Sequence, residues 1–377
     1  LMSGKRGGIV AIEPTTGEIL ALVTAPSYDP NMLVGRKRSK NSNFLMDPKN
    51  PDKPTYDRAL MAQYAPGSPF KMMNALIGLQ ENVINSNTNF KCYEGYQYGR
   101  RKNEFMGCHC GIIAKPIYLK TAIARSCNSY FSNTFKRIVE KDNTPSEGLN
   151  SWSEHVKSFG LGNYLGYDLP AGASGRIPTG TFYDGRINYR WNASSIISNA
   201  IGQGDVETTP IQLANFTAAI ANKGYFYTPH ILKQIDKTPI EDPKFTIPKK
   251  TTIDKKHFSP IIEAMHEVFK TGTGKWSQVN GIEICGKTGT VENFANINGK
   301  KTQLKDHSIL IAFAPKKNPK IALAIFVENG GYGSTIAAPI SSLLIEKYIS
   351  GSISKANKNR EQRMLNLSLE KTYTQFN

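Results

Sequence analysis

Gly8-Ile9-Val10-Ala11-Ile12-Glu13-Pro14-Thr15-Thr16-Gly17-Glu18-Ile19-Leu20-Ala21-Leu22-Val23 opens the chain with two apolar runs around a polar turn. Ile9 to Ile12 and Ile19 to Val23 predict an antiparallel hairpin, with Pro14 to Glu18 supplying the turn. A lone hairpin cannot hide its apolar face, so further strands must join it. The next strand-like runs come late: Glu283 to Thr288, Ser308 to Ala314 and Ile321 to Val327. The simplest sheet therefore has five antiparallel strands, with the N-terminal hairpin beside the three late strands. Between them the apolar spacing is mostly helical, at three- and four-residue steps. Such steps run through Met72, Met73, Ala75, Leu76 and Leu79. They recur over 117–139 (broken at Arg125 to Ser129), 152–161, 210–220, 258–269 and 339–348. Strands at the front, helices in the middle, then strands and a helix define an α+β fold.

The stretches 27–56, 92–110, 169–185 and 235–256 are rich in Pro, Gly, Asn, Lys or Asp and read as surface loops. Nothing divides the core in two, so residues 1–350 form one domain, and 351–377 reads as a polar, poorly ordered tail. At 377 residues the chain can bury a sizeable core. Its net charge of +17 suits an anionic setting. The basic residues are dispersed in short clusters such as Arg36-Lys37-Arg38, and no nucleic-acid-binding pattern accompanies them. No apolar run approaches the length of a membrane span. The chain starts almost directly on a strand, so an upstream targeting or anchoring segment is expected to lie outside it.

Tyr64-Ala65-Pro66-Gly67-Ser68-Pro69-Phe70-Lys71 puts a hydroxyl at a helix start and an amine three residues on. Positions three apart share a helical face, and a desolvated lysine can activate a serine. A bare Ser-x-x-Lys is also what an N-cap followed by a solvated lysine looks like. Two more clusters decide between these. Ser126-Cys127-Asn128 interrupts a helix with hydrogen-bonding side chains, and Lys287-Thr288-Gly289-Thr290 closes a strand with a glycine that lets a ligand approach.

In this order the three clusters resemble the Ser-x-x-Lys, Ser-x-Asn and Lys-Thr-Gly motifs of penicillin-binding proteins and serine β-lactamases, with Cys127 in place of the usual aspartate. The opening hairpin, Tyr64 to Ser68, Gly202-Gln203-Gly204 with Thr209-Pro210 and Gln212, and Val327-Glu328-Asn329-Gly330-Gly331 extend the resemblance over about residues 5–350. They are most similar to the elongation-type transpeptidase domain of the class B proteins.

That resemblance implies a penicillin-binding fold: a five-stranded antiparallel sheet flanked by helices, with a mostly helical subdomain. It implies a D,D-transpeptidase that cross-links peptidoglycan stem peptides and is acylated by β-lactams. Ser68 would be the nucleophile, Lys71 its base and Ser126 a proton relay. Asn128 would hold the donor amide, and Lys287, Thr288, Gly289 and Thr290 the terminal carboxylate. It also implies an N-terminal membrane anchor and pedestal beyond this chain, a place on the periplasmic face of the bacterial inner membrane, and a glycosyltransferase partner. No cofactor is needed for the chemistry. A D,D-carboxypeptidase or β-lactamase would use the same motifs for hydrolysis. No glutamate between the second and third motifs, Glu154 and Glu207 included, fits the loop that supplies the lactamase base. A non-catalytic β-lactam sensor is the third reading.

Cys92, Cys108, His109, Cys110 and Cys127 place soft ligands at close spacing. Some elongation-type relatives carry zinc near the second motif, which makes Cys92, Cys108, Cys110 and Cys127 a candidate structural zinc set with His109 as substitute. Disulfides or buried free thiols are the alternatives, and Cys285 reads as a core residue.

Overall fold

The computed structural model describes residues 1–187, 190–297 and 299–369. Five strands make the central sheet: β1 (Gly7–Ile12), β2 (Ile19–Ala25), β3 (Cys285–Val291), β4 (His307–Ala314) and β5 (Ile321–Val327). Their order is β3-β4-β5-β1-β2, and every neighbouring pair is antiparallel. The hairpin joins the late strands at β1 and β5, with Gly7 opposite Val327 and Ile12 opposite Ala322. Every residue of β5, and of β4 from Ser308 on, is buried. Side chains alternate between faces along a strand, so both faces of the sheet centre are covered.

Besides a single turn at Pro243–Thr246, the helices among the described residues are α1 (Arg38–Met46), α2 (Lys71–Gln80), α3 (Leu119–Ala124), α4 (Asn128–Val139), α5 (Pro145–Lys157), α6 (Gly180–Arg186), α7 (Pro210–Ala221), α8 (Phe258–Lys270), α9 (Ala337–Ser350) and α10 (Lys358–Asn366). Helix α7 packs on β5, β1 and β4, α9 on β4 and β5, and α8 on β3. Helix α2 is buried from Lys71 to Leu79. Its one buried amide, Asn74, donates to Ala200 O at 2.9 Å and accepts from Trp152 Nε1 at 2.8 Å, so no polar atom is stranded there.

Several sequence expectations need correction. The 27–56 stretch holds a 3-10 turn (Pro30–Leu33) and helix α1, which the Lys- and Asn-rich composition hid. The helix expected from Trp152 begins at Pro145, where Thr144 and Glu147 form a capping box. Helix α6 lies inside the 169–185 loop and runs just past it. The tail is ordered through residue 369. Helix α10 buries Met364 (1% exposed), and Leu369 is 4% exposed. Buried Lys5 donates from Nζ to Met364 O (2.8 Å) and Leu367 O (2.7 Å). Few apolar residues were needed, because a buried ammonium occupies the carbonyls at the helix end. Residues 370–377 lie outside the described residues.

Candidate active site

Ser68 begins a 3-10 turn (Ser68–Phe70) that runs into α2. Gly67 ahead of it has φ 59° and ψ −150°, and a Cβ there would lie 2.7 Å from Val291 Cγ2. Only glycine meets both demands, so the turn can press against β3. The same closeness recurs at Gly289, where a Cβ would fall 2.6 Å from Pro69 Cδ and 3.4 Å from Ser68 N. The edge strand β3 thus lies against the Ser68 backbone.

The helix break at 125–127 separates α3 from α4 and puts Ser126 in the left-handed region at φ 56°. That conformation costs a non-glycine residue about 1–3 kcal/mol and marks an imposed position. Ser126 Oγ stands at the centre of the site. It lies 3.0 Å from Ser68 Oγ, 3.1 Å from Lys71 Nζ and 2.8 Å from Lys287 Nζ. Lys71 Nζ also donates to Asn128 Oδ1 (2.6 Å) and Ser126 O (2.8 Å). Lys287 Nζ donates to Thr288 O at 2.8 Å. Hydrogen bonds connect Ser68 to Lys71 through Ser126, whereas the three-residue spacing predicts a direct pair.

Both lysines are fully buried and neither has a carboxylate partner among the described residues. Burial pulls the Lys71 ammonium down from its ordinary value to about 8, against an opposing pull from the sulfurs of Cys108, Cys127 and Cys110. Burial, and then the charge of Lys71, push Lys287 well down. Two ammonium groups sharing one hydroxyl oxygen disfavour each other's protonation, which leaves amine character one hydroxyl away from Ser68.

Thr288, Gly289 and Thr290 line the same cleft as Ser68, Ser126 and Asn128, a cavity of about 520 Å³. Sequence reasoning missed Thr273, whose Oγ1 lies 2.5 Å from Thr288 Oγ1 and fixes that hydroxyl. Its setting between Gly272 and Gly274 was the available signal. Gln203, Arg125, Glu292, Asp306 and Tyr332 line the cleft as well.

The sulfurs of Cys92, Cys108, Cys110 and Cys127 all lie within 4.8 Å of one another, and all four residues are buried. They are free thiols, so the disulfide alternative falls. A tetrahedral zinc with bonds of about 2.3 Å spaces its sulfurs by about 3.8 Å. Cys108 Sγ and Cys127 Sγ are 3.8 Å apart, so the donor set fits that ion. Cys108 is also shifted toward the thiolate by its hydrogen bond from Cys127 and by backbone N–H donors, while the bond to Cys108 and burial hold Cys127 as the thiol.

His109 is corrected out of the set: it is exposed and lines the catalytic cleft, because the residue between two converging cysteines points the other way. Cys285 is buried on β3, away from the group. The cluster abuts the second motif directly. Asn128 N donates to Cys108 Sγ (3.2 Å) and Asn128 Nδ2 to Gly107 O (2.7 Å).

Residues 7–346 match the family model described as the penicillin binding protein transpeptidase domain. The peptidoglycan D,D-transpeptidase MrdA of Acinetobacter baumannii is 32% identical over 354 residues, covering 89% of this chain and 50% of that protein. The chain spans about half the length of the curated relatives it matches. Among solved structures, penicillin-binding protein 2 of Pseudomonas aeruginosa in complex with WCK 5153 superposes with a TM-score of 0.78 at 30% identity, over 94% of this chain and 74% of that one. A ceftriaxone acyl-enzyme complex of penicillin-binding protein A from Mycobacterium tuberculosis gives 0.74 at 27% identity, over 92% and 74%.

Proposed function

Because this chain belongs to the penicillin-binding protein transpeptidase family and is most similar to its elongation-type members, we propose that it is the catalytic domain of a peptidoglycan D,D-transpeptidase. The observation that carries the reading is Ser126 Oγ, in contact with the nucleophile Ser68 and with both buried lysines.

Ser68 Oγ attacks the carbonyl between the two terminal D-alanines of a donor stem. Its proton passes through the Ser126 hydroxyl to Lys71, whose depressed pKa suits a base near neutral pH. The C–N bond then breaks, and the departing D-alanine amine takes a proton returned along the same path. Asn128 holds the donor amide. Lys287, oriented by Thr288 O, and the hydroxyls of Thr288 and Thr290 receive the terminal carboxylate. Backbone N–H groups of Ser68 and Thr290 form the oxyanion hole, each donor worth on the order of 10²–10³ in rate. In the second half an amine from a neighbouring stem attacks the acyl carbon. The Ser68 C–O bond breaks, the amine's proton returns to Ser68, and an amide cross-link remains.

A zinc ion held by Cys92, Cys108, Cys110 and Cys127 would supply structural cross-linking. These residues would then fix Gly107 and the start of α4, and through Asn128 the position of Lys71. By family logic the domain is anchored to the inner membrane, faces the periplasm, and works beside a glycosyltransferase that makes the strands it links.

Incubation with a lipid-linked precursor and a glycosyltransferase tests the proposal. Cross-linked peptide dimers are expected. Released D-alanine without dimers identifies a carboxypeptidase, and neither product identifies a sensor.

A further inference from the structure

The loop that carries three of the four clustered thiols contains a small sheet of its own. Gly95–Gln97 and Phe105–Gly107 pair antiparallel, with Gly95 opposite Gly107 and Gln97 opposite Phe105. Cys108 N donates to Glu94 O (2.7 Å) and Tyr98 N to Glu104 O (3.0 Å). Hydrogen-bonded and non-hydrogen-bonded pairs alternate along an antiparallel ladder, so 97–105 and 95–107 are non-hydrogen-bonded pairs. The N–H and C=O of Phe105 and Gly107 therefore point away from the partner strand. They form an outer edge that no strand among the described residues covers.

This edge faces the reactive centre. Phe105, Met106 and Gly107 line the catalytic cleft; Phe105 is 42% exposed and Gly107 is exposed. Gly107 O accepts from Asn128 Nδ2 at 2.7 Å, and Asn128 Oδ1 accepts from Lys71. The amide assigned to the donor thus stands at one end of the edge. No described residue accepts from Phe105 N or Gly107 N. A short bare edge is ordinary on a protein surface. This one lies in a cleft also lined by β3, itself the outermost strand of its sheet.

The edge is held in place, and the space beside it is open. Met106 Sδ accepts from Ser132 Oγ on α4 (3.5 Å). Cys92 ahead of the hairpin and Cys108 and Cys110 behind it converge with Cys127. An added Cβ at Gly107 would meet no atom within 4 Å.

We propose that the donor stem, upstream of its scissile bond, pairs its backbone with the edge Phe105–Gly107 as an added strand. The inference rests on the acyl-enzyme reading and gives it a further subsite. With the terminal carboxylate at Thr288 and Thr290 and the scissile carbonyl at Ser68, the amide of that residue reaches Asn128. The next residue upstream then arrives at Gly107 and Phe105. Pairing through backbone groups selects donors by length: a further peptide bond is bound, and a bare D-Ala-D-Ala end is not.

Three thioglycolate thioesters, whose carboxylate stands for the terminal one, test this. The short donor is acetyl-D-alanyl. The long donor carries two further residues before its D-alanine. The third is the long donor with an ester in place of the amide joining those two residues, which deletes one N–H. Acylation of Ser68 is followed as rate over half-saturating concentration. In wild type the long donor should exceed the short one at least about tenfold, and the ester analogue should lose about three- to tenfold, the size of one hydrogen bond. Phe105→Pro removes an edge N–H that the hairpin does not use, and Phe105→Ala removes only the ring. The long-to-short ratio should be at least about threefold lower in Phe105→Pro than in Phe105→Ala.

Equal values for the long donor and its ester analogue in wild type would overturn the inference, and that comparison needs no variant to fold. Equal ratios in Phe105→Pro and Phe105→Ala would overturn it too, because the backbone edge would then contribute nothing. A wild type acylated by neither benzylpenicillin nor any thioester overturns the acyl-enzyme reading and this inference with it.

Discussion

Ser126 Oγ is hydrogen-bonded to Ser68 and to both buried lysines, and its left-handed backbone is the cost of that position. Ser126→Ala should lower the rate of acylation by a fluorescent penicillin by about 10²–10⁴, the usual worth of a proton-transfer group. The pH profile follows from Lys71. With its pKa held at about 8, the neutral base is scarce at low pH and increases about tenfold per unit until that value. Acylation should climb from pH 6 to about 8 and then level, and a flat profile would remove Lys71 as the base. At this scale the sequence was informative but incomplete. The convergence of Ser68, Lys71, Asn128 and Lys287 was readable because polar residues there interrupt otherwise apolar patterns. The resemblance implied a role for Ser126, but its hydrogen bonds to both Ser68 and Lys71 were not visible in the spacing, since three residues on a helix suggest a direct contact. Thr273 and Asp306 escaped because each is a common residue type in a loop, and only folding brings it to the cleft.

Among the elements, the loop from Cys92 to Cys110 and the start of α4 form one unit through the thiol cluster. If zinc occupies it, metal removal by a chelator should raise amide hydrogen exchange across residues 105–131 and leave β4 and β5 protected. Elemental analysis should give about one zinc per chain. Less than a tenth of that, with unchanged exchange after chelator, would contradict the metal. The sequence placed four thiols near each other but could not choose between a metal site, disulfides and free thiols. That choice depends on where the sulfurs point. His109 showed the limit directly: adjacent in sequence to two converging cysteines, it faces the cleft instead.

For the whole molecule, the two chain ends close the fold. Strand β1 pairs with β5, and Lys5 occupies the carbonyls at the end of α10. Lys5→Met should lower unfolding stability by about 1–3 kcal/mol, since it leaves buried acceptors without their donor. Urea denaturation checks this, and an unchanged midpoint would show α10 to be held by other contacts. The sheet was legible because β1, β2, β4 and β5 are largely apolar runs bounded by turns, while β3 carries the Lys287-Thr288-Gly289 motif. Helices α1 and α10 were not, because their stretches are polar and depend on tertiary anchors such as Leu45 and Met364. Gly67 and Gly289 join these scales: one backbone torsion and one missing side chain allow sheet and helix to meet at the nucleophile.

The most direct test of the central claim is intact-mass measurement after incubation with benzylpenicillin. Wild type should gain the mass of one opened penicillin per chain, and Ser68→Ala should gain none. An unshifted wild type, or an equal adduct on Ser68→Ala, would contradict the account.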